Sequence, residues 1–278
     1  MVLPVEQRDK PPLYNLHVRH QPTSRSEEAI ISHKYGFIFL KSRKTGGTSV
    51  SAALATLCGP TDTLALSEDV KEYLSIQRQN IRRQFLSLGP VGIRRYGLRA
   101  GRNLLRLLRG QSVEELAFLP VYRQHMDARE VREAVGNETW QRYFKFTIER
   151  NPYERLVSFY RWRMHLCNGK MNFEDFVMDA LSGRRRVFSP ASGFSNRPFY
   201  LDQSGAICVD RVLRYEHLDT EISNLFSDLG IEEKPNIPQL KRLDGLSRAD
   251  YRSWYNERLL GLAETAFELE KRLFGYSF

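Results

Sequence analysis

The stretch YGFIFLKSRKTGGTSVSAAL, residues 35–54, constrains the fold more than any other part of the chain. Tyr35 to Leu40 is short and rich in aromatic and β-branched residues, with polar flanks, the pattern of a buried parallel strand. After the glycines, Val50, Leu54 and Leu57 recur at helical spacing until Gly59 and Pro60 stop the pattern. Strand, tight turn and helix make half of a βαβ unit, and this strand is the first that the sequence predicts. The turn has the chemistry of an anion cradle. Gly46 and Gly47 let backbone amides approach a ligand closely, and a helix N-terminus near Thr48 offers unpaired N–H groups and a favourable dipole. Lys44 adds a full charge, and Thr45, Thr48 and Ser49 add hydroxyl donors. Such a turn fits one terminal phosphate-like group. In the triphosphate loop G-x-x-x-x-G-K-[ST] the lysine follows the glycines, whereas here it precedes them. No later strand ends in an obvious magnesium-binding aspartate. The plain alternative is a strand that happens to end in a glycine-rich turn.

A second strand-to-helix turn lies further along. YFKFTIE, residues 143–149, reads as a central strand and runs directly into RNPYERLVSFYRW. Asn151 can cap the new helix, Pro152 suits its first turn, and Glu154 has a capping-box-like spacing. Arg150 stands at the carboxyl end of this strand, and Ser158 lies two helical turns in, on the same face as Asn151 and Arg155. A guanidinium that grips bidentately and a hydroxyl that donates suit a second phosphate. Two anion sites at the carboxyl ends of strands in one sheet imply a ligand with two separated phosphates.

Between the two turns, Asp127 and Glu130 have capping-box spacing, which predicts a helix to about Val135 stopped by Gly136 and puts His125 just ahead of it. RPFYLDQSGAICVDRVLRY reads as a hairpin around Asp-Gln-Ser-Gly, with a helix from about Leu218 to Leu229 after it. The tail from Ser247 to Phe274 predicts one long core-packed helix or two consecutive ones. A chain of 278 residues fits a single α/β domain with a mainly parallel sheet flanked by helices. The N-terminus interrupts any apolar run with charges and prolines, and Cys58, Cys167 and Cys208 form neither a disulfide framework nor metal-ligand spacing. Both features predict a cytoplasmic protein. His17 and His20 lack companion ligands and read as surface residues, and Lys241 reads as a solvated loop lysine.

The net charge of +9 is uneven. No Asp or Glu falls between Tyr73 and Val113, whereas Arg78, Arg82, Arg83, Arg94, Arg95, Arg99, Arg102, Arg106 and Arg109 do. From Leu98 to Leu108 the leucines alternate with arginines in an amphipathic pattern, giving a basic Arg/Leu-rich helical segment at about 74–112. Such a surface attracts polyanions or anionic lipid head groups through salt-sensitive fields, and its plain alternative is a solvated helix face.

KTGGTS after one strand and FTIERNPYERLVSFY after a later one resemble the 5′-phosphosulfate and 3′-phosphate motifs of sulfotransferases that use 3′-phosphoadenosine-5′-phosphosulfate (PAPS). The resemblance is to carbohydrate sulfotransferases related to the heparan and uronyl 2-O-sulfotransferases and their soluble bacterial relatives. HMDAREVREAVGNETWQRYFKF, VDRVLRYEHL and the closing FGYSF are similar to that family too, so the match runs from about residue 35 to the end, least well near 78–110. It implies a P-loop-like sulfotransferase fold over residues 1–278 as one domain. It also implies that Lys44 contacts the 5′-phosphate and bridging oxygen, that Thr45, Gly46, Gly47, Thr48 and Ser49 wrap that phosphate, and that Arg150 and Ser158 hold the 3′-phosphate. Arg43 stands where the commoner family motif has proline. His125 becomes the general base, since imidazole has an intrinsic pKa of about 6.5; Glu149 and Glu216 compete for that role but read as partners of neighbouring arginines. Without the resemblance His125 is a loop or cap histidine.

The expected function is transfer of a sulfuryl group from PAPS to a hydroxyl of a carbohydrate or glycolipid acceptor, anionic if the arginine segment binds it. A fixed cation at the leaving oxygen lets the step proceed without a metal. Nucleic acid is not an expected partner, and a peripheral membrane-surface contact through the arginine segment is. Two rivals stay open: a P-loop-type nucleotide kinase, and a basic anion or membrane-surface binding module without catalysis.

Overall fold

The computed structural model describes residues 29–59, 61–64, 66, 68–74, 125–166, 169, 171–181, 193–240 and 250–278. The arginine segment, His17, His20, Cys167 and Lys241 lie outside these residues. The described residues form an α/β structure around a five-stranded sheet. Its strands are β1 (Ala29–Ser32), β2 (Phe37–Leu40), β3 (Thr63–Leu64), β4 (Phe144–Glu149) and β5 (Arg211–Arg214), in the order β3-β1-β2-β4-β5. β2, β4 and β5 pair in parallel, while β1 is antiparallel to both β2 and β3. Four strands therefore point one way and β1 alone is reversed, which bears out a mainly parallel sheet.

β2 shows why this sheet is built as it is. All four of its residues are fully buried, and period-2 alternation sends Phe37 and Phe39 to one face and Ile38 and Leu40 to the other. The first face packs with Phe146, Ile148 and Leu213 against helix α1 (Gly47–Ala55). It is also covered by a later helix, Leu218–Asp228, which ends one residue before the predicted Leu229. The other face meets Val131 and Trp140 from the helices Ala128–Val135 and Asn137–Arg142, together with Met126 from the connection before them and Phe274. Helices on both faces follow from a central strand, β2, that is apolar on both sides.

Several sequence expectations need correction. Among the described residues the fold opens on β1, four residues long, which pairs with β2 through residues 33–36, so the strand at Phe37 is the second of them. Ser32 Oγ, His33 N, Lys34 N and Gly59 N all donate to the Asp62 carboxylate and so seat β3 beside β1. The proposed hairpin reduces to a single bridge, Leu201 with Ile207, because Asp202 ties up its own turn and the following chain leaves to pair with β4 as β5. The tail needs no correction: of the two arrangements expected it forms two consecutive helices, Glu257–Ala266 and Glu268–Phe274, the first capped by Asn256 Oδ1 accepting from Leu259 N at 2.9 Å.

The helix after β4, Pro152–Leu166, is anchored from below by charge. Arg155 is 1% exposed and its Nε lies 3.1 Å from Glu149 Oε1, itself fully buried at the end of β4. Burial pushes the Glu149 carboxyl up, against the pull of the Arg155 guanidinium. Removing one member of such a pair leaves an uncompensated charge, so Arg155→Met is expected to lower stability by about 3–5 kcal/mol in urea denaturation. Adding Glu149→Gln should recover part of the loss; additive losses would show that the two side chains are not coupled.

Candidate active site

Because β2 and β4 are parallel, their carboxyl ends fall on one edge of the sheet, and so do the turns that follow them. Two hydroxyls fasten those ends together. Thr147 Oγ1 donates to Leu40 O at 2.6 Å, and Ser42 Oγ donates to Ile148 O. With its proton given to Ile148, Ser42 Oγ accepts from Thr45 Oγ1 at 2.8 Å. The Thr45 hydroxyl is therefore turned into the base of the turn, where it is fully buried. This corrects its expected place among the hydroxyl donors: what Thr45 can offer an anion is its backbone N–H.

The first turn is tightly built. α1 starts at Gly47, with Gly46 as its N-cap at φ 73°, and no side chain caps it. The N–H groups of the first helical turn are thus left without a side-chain cap, the arrangement that suits an anion. A Cβ added at Gly46 would stand 3.0 Å from the Tyr215 ring, and one at Gly47 would stand 2.7 Å from Lys41 Cγ. Thr48 Oγ1 accepts from Lys41 Nζ at 3.0 Å, and Ser49 Oγ accepts from Leu240 N at 3.1 Å. Ser49 is buried and so ties the 231–240 loop to α1.

The second turn meets the first directly. Arg150 Nη1 donates to Lys44 O at 3.3 Å, its Nη2 pairs with Glu154, and its guanidinium carbon lies 4.3 Å from the centre of the Tyr215 ring. Arg150 Nε is buried without a hydrogen-bond partner. Asn151 caps the helix as expected, Oδ1 accepting from Tyr153 N at 3.1 Å. Glu154 does not close a capping box, since it is engaged by Arg150; the Asn151 N–H goes instead to Glu216 Oε1 at 2.6 Å. Glu216 also accepts from Tyr276 Oη at 3.3 Å, which gives it different partners from the neighbouring arginine expected of it. Glu149 does pair with an arginine, Arg155.

Glu154, Ser158 and Trp162 succeed one another at single-turn intervals on the helix Pro152–Leu166. Arg150 holds the first of them, and Lys44 Nζ lies 5.3 Å from the ring centre of the last. Half-buried Ser158 lies between Glu154 and Trp162 on that stripe. Lys44 and Arg150 are thus brought together, and Ser158 lies on the helix into which Arg150 leads.

His125 reaches the same edge from the connection before the helix Ala128–Val135. Its Nδ1 lies 3.0 Å from Lys41 O, and its ring meets Phe199 edge-on at 6.2 Å. A carbonyl only accepts, so Nδ1 carries the proton and Nε2 is the basic nitrogen of the neutral ring. Among the described residues, Lys44 (φ 61°) and His125 (φ 52°) are the non-glycine residues with positive φ. That conformation disfavours ordinary side chains, and such outliers concentrate where function over-determines the backbone.

Sequence reasoning missed two members of the site. Asn196, fully buried, clamps Arg43 from both sides: its Oδ1 accepts from Arg43 N at 3.0 Å, while its Nδ2 donates to Arg43 O at 3.1 Å. The same Nδ2 lies 3.3 Å from Glu149 Oε1. Lys41, 4% exposed, lies under the turn. Nothing in the sequence marked Asn196, which is far along the chain; the signal for Lys41 is its place beside Arg43 and Lys44 at the end of an apolar run. Burial pushes the free thiols of Cys58 and Cys208 up to about 12 and about 11, so neither is a ready nucleophile. Among the described residues, no group of three or more His, Cys, Asp or Glu side chains is placed to hold a metal ion, and no helix is long and apolar enough to cross a membrane.

A family model described as Sulfotransferase family matches residues 27–277. A protein of Archaeoglobus fulgidus described as uncharacterized is 28% identical over 120 residues, which are 40% of this chain and 88% of that protein. No solved structure matches the chain.

Gly46→Ala tests the cradle. A left-handed alanine with its Cβ against Tyr215 is expected to lower stability by roughly 1–2 kcal/mol and to weaken anion binding, measured by thermal unfolding and calorimetric titration. Unchanged binding would show that the turn does not need this close approach.

Proposed function

The chain belongs to the sulfotransferase family, and on that premise we propose that it moves the sulfuryl group of PAPS to a hydroxyl of a carbohydrate or glycolipid acceptor. The observation that carries this reading is the convergence of Lys44, Arg150 and His125 on one edge of the sheet, tied by Arg150 Nη1 to Lys44 O and by His125 Nδ1 to Lys41 O. The residues fit a doubly phosphorylated adenosine. No side chain caps the first N–H groups of α1, and Arg150 Nε is a buried donor without a protein partner; both support that ligand. On this reading residues 1–278 act as one domain of P-loop-like sulfotransferase fold, with the lysine ahead of the glycines. Among the described residues Cys58 and Cys208 are free thiols, which supports a reducing, cytoplasmic setting.

When bound, the donor supplies a sulfuryl group on a phosphate leaving group. Lys44 and the amides of Gly46, Gly47, Thr48 and Ser49 hold the 5′-phosphate, and Arg150 and Ser158 hold the 3′-phosphate. His125 orients the acceptor hydroxyl and takes its proton at Nε2. The acceptor oxygen bonds to sulfur in line as the bond from sulfur to the phosphate oxygen breaks, and the electron pair of that bond leaves on the phosphate. Lys44 faces the oxygen that gains charge, so it stabilises the transition state more than the ground state.

The test is transfer of radiolabelled sulfate from PAPS to a panel of glycans and glycolipids, with 3′-phosphoadenosine 5′-phosphate binding measured without magnesium. Transfer of the γ-phosphate of ATP with magnesium would establish the kinase reading instead. Lys44→Ala is expected to lower turnover by roughly 10²-fold or more with little loss of fold, and near-normal turnover would remove Lys44 from the mechanism. A general base acts only when unprotonated, so turnover should fall as pH drops through the His125 titration. His125→Gln should abolish that acid limb and lower turnover by about 10²-fold or more; a retained limb would assign the base to another group.

A further inference from the structure

Lys41 is a buried cation that the mechanism above does not use. It follows β2 directly and is 4% exposed. Its stem lies along Gly47: a Cβ there would meet Lys41 Cγ at 2.7 Å, Cε at 3.1 Å and Cδ at 3.4 Å. The missing side chain at 47 is therefore what lets the lysine run beneath the turn and emerge at Thr48, where Nζ donates to Oγ1 at 3.0 Å. An ammonium has donors and no acceptor, so the Thr48 hydroxyl must accept from it. The Thr48 proton is thereby directed away from Lys41. Thr48 is half-buried and sits in the first turn of α1, among the amides that no side chain caps. One side chain thus aims a hydroxyl donor and places a second positive charge, besides Lys44, at the same helix N-terminus.

The backbone of the same residue does different work. Lys41 O accepts from His125 Nδ1 at 3.0 Å, which fixes the tautomer of the proposed base. A substitution at 41 removes the side chain and leaves the carbonyl in place, so the two roles are separable by experiment.

We infer that the Lys41 side chain is a positioning residue of the 5′-phosphate pocket: it orients the Thr48 hydroxyl toward the anion and supplies charge beneath it. This rests on the PAPS reading of the site. The mechanism assigns the turn that Lys41 underlies to the 5′-phosphate alone, so the effect of Lys41 is confined to ligands that carry that group.

The experiment compares two ligands, 3′-phosphoadenosine 5′-phosphate and adenosine 3′-phosphate, by calorimetric titration against the unaltered protein and Lys41→Met, whose stem preserves the packing on Gly47. Lys41→Met is expected to weaken the first ligand about 10-fold or more and leave the second unchanged, since only the first carries the group that a charge-assisted hydrogen bond serves. The acid limb of the turnover profile should stay in place, because the carbonyl at 41 still holds His125. Equal loss of both ligands would reduce Lys41 to a structural lysine, and no loss of either would overturn the inference outright. Lys41→Gln, neutral but still able to donate to Thr48, covers the case in which methionine does not fold, and it should show the same selective loss in smaller measure. If the unaltered protein binds neither ligand, the reading of the site falls and the inference with it; binding by the unaltered protein with an unselective Lys41 variant sinks the inference alone.

Discussion

The parallel pairing of β2 with β4 is the constraint on which the site depends. It sets Leu40 opposite Thr147, so both strands release their chains at the same edge, within reach of each other's side chains. The pairing is more than a backbone ladder at that edge: Thr147 Oγ1 donates to Leu40 O and Ser42 Oγ to Ile148 O, each hydroxyl bonding across to the neighbouring strand. A slip of one residue would exchange the buried faces of Phe37 and Phe39 with those of Ile38 and Leu40. It would also carry Lys44 and Arg150 out of register with one another. The register of a short, fully buried strand thus fixes the position of two cations that lie beyond its end.

Held on this edge are two strained residues, Lys44 and His125, and the surroundings show what holds them. Around Lys44, Asn196 grips the preceding peptide from both sides and Arg150 takes the Lys44 carbonyl. Around His125, the Lys41 carbonyl and the edge of Phe199 fix the ring. Asn196 also touches Glu149, which accepts from Arg150 N and faces Arg155. The two turns therefore share one buried polar network, and a disturbance of either is felt by the other. Such a network is unfavourable unless nearly all its members are satisfied, which is consistent with its use as a frame for geometry more than as a source of stability.

What was legible in the sequence was local. The strand, turn and helix around KTGGTS, the capping box at Asp127 and Glu130, and the Asn151 cap each depend on residues within a few positions of one another, and each is present. What was not legible depends on residues far apart in the chain. β1 has four residues, too few for a periodicity signal, and exists because β2 offers it an apolar partner. Asn196 is an ordinary loop residue until folding brings it to Arg43. The hairpin reading failed where tertiary pairing overrode a good turn: the chain after Cys208 gains more from joining β4 than from extending a two-stranded ribbon. Glu154 had the spacing of a capping box but the stronger attraction of a guanidinium one turn away.

The same competition explains how Arg150 can serve a ligand on the proposed reading. Glu154 occupies Nη2, the Lys44 carbonyl occupies Nη1, and Tyr215 lies against the guanidinium, so the group is held with little freedom to turn. The buried Nε–H has no such partner. A guanidinium fixed this way loses little entropy when it binds an anion, and the anion is offered a defined edge instead of a mobile charge. Lys44 is restrained at its backbone by positive φ, by the clamp on Arg43 and by Arg150 itself, while its ammonium lies near Trp162. Both cations are therefore held before a ligand arrives, one at its guanidinium and the other at its backbone. On the proposed reading that suits charge building on the 5′-phosphate, because a group already in position needs no reorganisation as the charge develops.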